Sequence, residues 1–164
     1  MPGRIESIQV SRGGVPKTGV FEAMITALGV GGDRQAQRLF HGGPDRAVVL
    51  YSLEVIRALQ HEGHPISPGS TGENLTVSGL DWNELRTGVE IDAGAARLQI
   101  TKYTTPCATI RHSFLNGEFE RIHQKQHPGW SRVCARVLVE GLIRPGDPVT
   151  LITATAPRER GSAV

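Results

Sequence analysis

The sequence predicts a β-rich α+β fold in which a barrel-like sheet carries a few short helices. Three observations lead to this expectation. Twenty glycines and ten prolines among 164 residues indicate many turns and short elements. Short apolar runs recur between those turns, several of them with the alternating polarity of half-buried strands. The chain contains no internal repeat or linker-like stretch, so a single domain is expected over residues 1–152.

The first part of the chain is predicted to hold three strands and one helix. Apolar and alternating runs predict strands over residues 4–10, 20–28 and 47–51. A helix is the open alternative for residues 20–28, because alanine suits both structures. A further helix is expected to begin at Ser52, whose hydroxyl can cap the first turn, and to end before Gly63.

The second part is predicted to alternate short strands with short helical segments. Strands are expected over residues 75–78, 89–92, 96–101, 129–139 and 149–152, and the second and third of these form a hairpin. Helical segments are expected over residues 81–85, 107–115 and 119–126, and proline is favoured where the middle one begins.

Composition and charge narrow the possible functions. A formal charge of +2 without a basic block gives no argument for nucleic-acid binding. Apolar runs are too short for a membrane span, and the N-terminus lacks the apolar region of a signal peptide. Two cysteines suit a reduced compartment, so a cytoplasmic location is expected. Residues 153–164 are small, charged and unpatterned, and are expected to form a disordered tail.

Residues 31–46 are dense in functional groups for a loop. They combine arginines, aspartates and a histidine with several glycines. Glycine lets a ligand approach main-chain N–H groups, and arginine offers forked, permanently charged donors. The segment is therefore predicted to bind an anion, with candidate residues Arg34, His41, Gly42, Gly43, Asp45 and Arg46 and with His41 at its centre.

Cys107 stands where a predicted strand meets a predicted helix. The N–H groups at a helix start lower a thiol pKa, which favours a thiolate nucleophile or metal ligand. Lys102 could add positive charge nearby. The alternative is a small buried side chain, the usual fate of a lone cysteine. Cys134 lies in an apolar strand and is expected to belong to the core.

Three weaker clusters each allow a functional and a structural interpretation. Glu73 and Asn74 could hydrogen-bond the edge of a heterocycle or anchor a turn. Trp130 and Arg132 could stack on a planar ligand or lie at a barrel rim. His123 and His127 have a zinc-compatible spacing on a helix, but Pro128 follows at once and the His-Glu-x-x-His pattern is missing.

The most specific blocks of the sequence are His-Gly-Gly-Pro-Asp-Arg at 41–46 and, later, Gly-Glu-Asn-Leu at 72–75. Further blocks lie at 29–35, 79–80, 106–107 and 145–149. Together and in this order they resemble the MOSC domain, the module named after the C-terminal part of molybdenum-cofactor sulfurases. The resemblance is to small stand-alone bacterial members, related to hydroxylaminopurine-reducing proteins and mitochondrial amidoxime reductases. The extra N-terminal barrel and ferredoxin domain of larger relatives are not expected here.

The resemblance implies a barrel-like fold that binds the molybdenum cofactor, with Cys107 as metal ligand. A soft thiolate suits a metal already held by a dithiolene. Arg46 and the N–H groups of Gly42 and Gly43 would hold the terminal phosphate. The other expected cofactor contacts are Arg34, His41, Asp45, Glu73, Asn74, Lys102 and Arg132, and His41 is also the expected proton donor.

Three functions are compatible with this resemblance. The first is an oxidoreductase that removes oxygen from a small N-hydroxylated substrate. Two cysteines cannot hold an iron–sulfur cluster and no flavin motif is visible, so a separate flavin or [2Fe–2S] reductase would supply the electrons. The second is a sulfur carrier with a persulfide on Cys107. The third is a non-catalytic cofactor-binding module. The protein is expected to act as a monomer or homodimer.

Overall fold

The structure is a computed structural model that describes residues 2–34 and 43–152. His41, Gly42 and the predicted tail at 153–164 lie outside the described residues. Within them, eleven strands are found: β1 (Gly3–Val10), β2 (Thr18–Val20), β3 (Ala23–Thr26), β4 (Gly29–Val30), β5 (Val48–Ser52), β6 (Leu75–Ser78), β7 (Glu90–Ala93), β8 (Ala96–Tyr103), β9 (Val133–Val139), β10 (Gly141–Ile143) and β11 (Pro148–Ile152). The described residues also hold one α-helix, α1 (Leu53–His61).

Seven of the strands form a closed barrel, which confirms the predicted fold class. Around the barrel the order is β1, β6, β5, β9, β8, β7 and β11, and β11 returns to β1 where Gly3 pairs with Val149. All of these pairings are antiparallel except β5–β6, where α1 and the following loop form the crossover. β2 extends the sheet along β1, and β10, β3 and β4 make a second, smaller sheet.

Alternating side chains fill the barrel interior. Ile5, Leu50 and Leu98, on three different strands, are completely buried, as expected for residues on the inward face of a closed sheet. α1 covers one side of the barrel through Ile56 and Leu59. The Ser52 hydroxyl accepts a hydrogen bond from the Val55 N–H at 3.2 Å, which confirms the predicted cap.

The strand predicted over residues 20–28 is divided between two sheets. Its first residue belongs to β2 beside β1, whereas β3 pairs with β10. The chain leaves one sheet and enters another between Val20 and Ala23, a tertiary change that alternation alone does not reveal. The alternative helix over these residues is wrong.

Two predicted helices are short 3₁₀ segments instead. Residues 107–115 contain Ala108–Ser113, and residues 119–126 contain Phe119–Ile122. Asn116, with φ of 54°, takes the left-handed conformation and stops any longer helix. The strand predicted from residue 129 begins only at Val133. No helix among the described residues is long and apolar enough to span a membrane.

Candidate functional site

A cavity of about 200 Å³ opens among the connections that join the barrel strands. Its wall comes from the loops before β2, β5 and β6, the segment after β8, and the start of β9. The described residues that line it are Gly14, Val15, Lys17, Arg34, Arg46, Val49, Thr71, Gly72, Thr104, Thr105, Cys107, Thr109, Ile110, Arg132 and Cys134. Four of these carry a positive charge and none carries a carboxylate, so this part of the wall suits an anionic ligand.

Cys107 brings an exposed thiol to the cavity. Its backbone is extended, and its carbonyl oxygen accepts a hydrogen bond from the Ile110 N–H at 3.2 Å, which fixes the start of Ala108–Ser113. Because that segment is six residues of 3₁₀ geometry, few peptide dipoles align behind Cys107. The predicted effect of a helix start on this thiol therefore loses most of its basis.

Arg132 places a guanidinium group in the interior at the cavity wall, with only 6% of its surface exposed. One terminal nitrogen donates to the Thr71 carbonyl oxygen. Its Nε is buried and has no hydrogen-bond partner among the described residues. Burial lowers the pKa of Arg132, while nearby Tyr51 and Glu73 oppose that change. An arginine stays protonated in proteins, so a buried positive charge faces this region.

Two buried aromatic side chains fix the backbone that leads into Arg132. The Tyr51 hydroxyl donates to the Trp130 carbonyl at 2.6 Å, and the Trp82 indole N–H donates to the Ser131 carbonyl at 2.7 Å. Trp130 itself stacks against the guanidinium of Arg121, 4.0 Å from the ring centre. Trp130 thus has a stacking partner within the protein, and its role as a stacking partner for a planar ligand stays a prediction.

Lys17 is a lining residue that the sequence did not single out. Its ammonium group pairs with Asp33 Oδ2 at 2.7 Å, and both side chains are buried. Asp33 also accepts hydrogen bonds at 2.9 Å from the Ser11 N–H and from the Asn74 amide. The Lys17 charge is therefore matched by Asp33. Arg34 and Arg46, both predicted contacts, line the same cavity.

Glu73 and Asn74, predicted as cofactor contacts, are not among the lining residues. Both are completely buried. The Glu73 carboxylate accepts hydrogen bonds from the Gly69 N–H and the Thr71 hydroxyl. Asn74 accepts one from the Val49 N–H at 3.0 Å and donates to Asp33. These bonds occupy their polar atoms, so both residues support the wall from behind.

Gly43, Asp45 and Lys102 also lie outside the lining set. The Asp45 carboxylate is largely exposed and lies 3.4 Å from an Arg136 nitrogen. Gly43, with φ of 100°, precedes the 3₁₀ turn Pro44–Arg46 and helps to place Arg46. Lys102 is half-buried on β8. The predicted residues that the structure places around the cavity are therefore Arg34, Arg46, Cys107 and Arg132. Gly43, Asp45 and Lys102 do not line it.

Cys134 is buried, as predicted for a core residue, and it also lines the cavity. Its sulfur lies 3.1 Å from the Thr104 hydroxyl. β8 has an irregularity between Ile100 and Lys102, opposite Cys134, and such bulges turn a strand and redirect its side chains. No local pattern indicates that Cys134 lines the cavity, because the bulge depends on how two distant strands pair.

The geometry combines an exposed thiol with a buried, incompletely bonded guanidinium group in one cationic cavity. A thiolate binds soft metals, and guanidinium groups bind phosphate and other oxyanions. Fold and site together define a small β-barrel protein with a cationic cavity that is also lined by two cysteine side chains. The MOSC domain family model matches residues 37–150, and the chain belongs to that family. MOSC domains are associated with molybdenum-cofactor binding in general.

Known relatives agree with this assignment. Protein YflK of Bacillus subtilis (strain 168) is 33% identical over 123 residues, covering 74% of this chain and 55% of YflK. Protein YiiM of Escherichia coli (strain K12) is 28% identical over 137 residues, covering 80% of this chain and 60% of YiiM. The chain therefore spans only 55–60% of the length of these curated relatives.

Solved structures share the fold. The crystal structure of YiiM from Geobacillus stearothermophilus superposes with a TM-score of 0.72 at 26% identity, covering 93% of this chain and 76% of that chain. The crystal structure of YiiM from Escherichia coli gives a TM-score of 0.70 at 24% identity over 95% of this chain and 72% of that chain, which supports the fold alone.

Proposed function

We propose that this protein binds the molybdenum cofactor through Cys107 and reduces small N-hydroxylated compounds. The observation that carries the proposal is that the exposed Cys107 thiol and the buried Arg132 guanidinium line the same cavity. Arg132 Nε, buried and unpartnered among the described residues, leaves a donor that a bound anion could use. Family membership supports the choice of cofactor.

The residues present are compatible with that cofactor. Cys107 would supply the thiolate ligand to the metal, while Arg132, Arg34 and Arg46 would hold the phosphate. The cofactor, when bound, supplies two-electron oxygen-transfer chemistry. Reducing R–NHOH to R–NH₂ and water consumes two electrons and two protons. We propose a separate flavin or [2Fe–2S] reductase as the electron source, and His41 or solvent as the proton source.

A sulfur carrier is the second candidate function. The same exposed Cys107 could hold a persulfide. The nearby cations would stabilise the negative charge of the persulfide anion, as they would that of a thiolate. A cofactor-binding module without catalysis is the third candidate. It would need the same cavity but no reductase partner.

Purification from a cofactor-competent host distinguishes these functions. The expected result is about one molybdenum and one pterin per chain, with both lost in Cys107→Ser. Cys134→Ser is the matched control, because it changes the other lining thiol and should keep its metal. Unchanged metal in Cys107→Ser would refute the ligand assignment.

Activity then separates the reductase from the other candidates. The metal-loaded protein, with a competent reductase, should convert an N-hydroxylated purine or amidoxime to the reduced product. Metal-free protein carrying a Cys107 persulfide would favour the sulfur carrier. Bound molybdenum without reduction of any tested compound would favour the non-catalytic module.

A further inference from the structure

Three consecutive carbonyl groups, those of residues 130–132, lie just before β9 and are held by donors from other parts of the chain. They accept hydrogen bonds, in chain order, from the Tyr51 hydroxyl at 2.6 Å, the Trp82 indole N–H at 2.7 Å and the Thr104 N–H at 3.0 Å. Because β9 begins only after this segment, strand pairing does not supply the first two of these bonds. The path of the backbone into Arg132 therefore depends on two side chains, those of Tyr51 and Trp82.

Both of these side-chain donors are anchored in the core. Tyr51 lies on β5 and is completely buried, and Trp82 is buried in the 3₁₀ turn Trp82–Glu84. Their rings pack together with centroids 6.3 Å apart. Burial raises the pKa of Tyr51, so its hydroxyl keeps its proton and stays a donor at physiological pH. The two hydrogen bonds thus connect the backbone at Arg132 to the packed interior of the barrel.

The far end of Arg132 retains a donor that no described residue uses. One terminal nitrogen bonds the Thr71 carbonyl, whereas the buried Nε has no partner among the described residues. The Glu73 carboxylate acts on Arg132 electrostatically, but its oxygens accept their hydrogen bonds from Gly69 and Thr71. Because Arg132 lines the cavity, an anion bound there would meet a buried positive charge with a donor still available.

The affinity of such a group for an oxyanion depends on where the group is held, because its N–H bonds are directed. Ordering a long side chain during binding weakens affinity, whereas a side chain that is already ordered avoids that loss. Arg132 is ordered at both ends. Its backbone is held through Tyr51 and Trp82, and its tip bonds the Thr71 carbonyl.

We infer that Tyr51 and Trp82 are positioning residues that hold the Arg132 guanidinium where it binds an oxyanion. Neither ring is among the cavity-lining residues, so both act through the backbone of residues 130–132. The identity of the oxyanion as the cofactor phosphate rests on the proposed function, while the positioning of Arg132 does not. Loss of either donor should weaken anion binding although the charge of the cavity is unchanged.

The first test titrates cofactor-free protein with inorganic phosphate and measures the dissociation constant by isothermal titration calorimetry. Arg132→Met should weaken binding by about tenfold or more, since it removes a charged donor. Tyr51→Phe and Trp82→Phe should each weaken binding by roughly three- to tenfold, the range of one ordinary hydrogen bond. If the unaltered protein does not bind phosphate, or binds it equally well after Arg132→Met, the inference is wrong.

Ile91→Val is the matched control for a general loss of stability. Ile91 is completely buried on β7, which pairs with β8 and β11 but with neither β5 nor β9. Removing one methylene from the core and removing one hydrogen bond have costs of the same order, so Ile91→Val and Tyr51→Phe should lower the melting temperature similarly. Only Tyr51→Phe should weaken phosphate binding. Equal weakening in both variants, or unchanged affinity in Tyr51→Phe and Trp82→Phe, would overturn the inference.

The second test uses protein from a cofactor-competent host. Tyr51→Phe should carry severalfold less molybdenum and pterin than Ile91→Val, and full occupancy in Tyr51→Phe would contradict the extension of the inference to the cofactor. Failure of the proposed function looks different. If the unaltered protein binds no molybdenum, that function fails, while the phosphate titrations still decide whether Tyr51 and Trp82 position Arg132.

Discussion

The two sides of the cavity are built in opposite ways. The side formed by residues 69–74 is buried and closely hydrogen-bonded, with Glu73 and Asn74 each making several bonds. The side formed by residues 104–110 carries an exposed thiol held by one hydroxyl contact. Groups that react must be accessible, whereas groups that hold a shape gain from burial. The wall with the buried hydrogen bonds is therefore distinct from the wall that carries the accessible thiol.

The largest expected loss of stability follows from a change at Glu73, in the buried wall. Glu73→Ala removes the acceptor of the Gly69 N–H and the Thr71 hydroxyl, and also a negative charge near Arg132. Unsatisfied buried donors and an uncompensated charge should lower the free energy of unfolding by about 3–5 kcal/mol. Urea denaturation measures the loss. Cys107→Ser, on the exposed wall, should change it by less than about 0.5 kcal/mol. Equal losses in both variants would remove the contrast between the walls.

A smaller effect is expected at Lys17, on the edge of the buried wall. Lys17→Met keeps the aliphatic stem but leaves Asp33 without its ammonium partner. Two further donors still reach Asp33, so the loss should be about 2–3 kcal/mol, below that of a fully isolated buried charge. Asp33→Asn combined with Lys17→Met should cost less than the two single losses added, in a double-mutant cycle by urea denaturation. Simple additivity would argue against a coupled pair.

The smallest expected loss of stability follows from a change in the Glu62–Arg121 ion pair, which lies beyond the exposed wall. Hydrogen bonds from Arg121 hold the pKa of Glu62 below its usual value of 4.5. A carboxyl whose pKa is lower in the folded than in the unfolded chain stabilises the fold at pH values above its unfolded pKa. That contribution is lost as the pH falls through the lower, folded pKa. Because Glu62 is partly exposed, Glu62→Gln should cost less than about 1 kcal/mol at pH 7. The difference from the unaltered protein should shrink below pH 4.5 in urea denaturation. A constant difference across pH would contradict this origin.

Much of the fold was predictable because its signals are local. The Ser52 cap, the hairpin of β7 and β8, and the barrel-like class depend on short patterns that the structure confirms. β4 and β10 were missed because strands of two or three residues are too short to show alternation. The 3₁₀ segments were mistaken for helices because both structures favour similar residues at their start.

The candidate site was predictable in part for a different reason. The sequence displays the reactive or charged groups of Cys107, Arg34, Arg46 and Arg132 directly. The structure places all four around one cavity. Lys17 was missed because its role depends on Asp33, sixteen residues away, and on a fold that brings them together. Glu73 was noticed for its chemistry, but only the folded loop shows that its carboxylate is already occupied.

Closure of the barrel has a consequence for how copies of this chain meet one another. Every barrel strand has a neighbouring strand on each side, so among the described residues the strands that end a sheet are β2, β4 and β10. These strands have only two or three residues, too few to template pairing with another chain. Exposed Phe21 and Leu28 lie beside them. In concentrated solution, any self-association should therefore involve these side chains and decrease when they are replaced by polar residues. It should not involve intermolecular sheets.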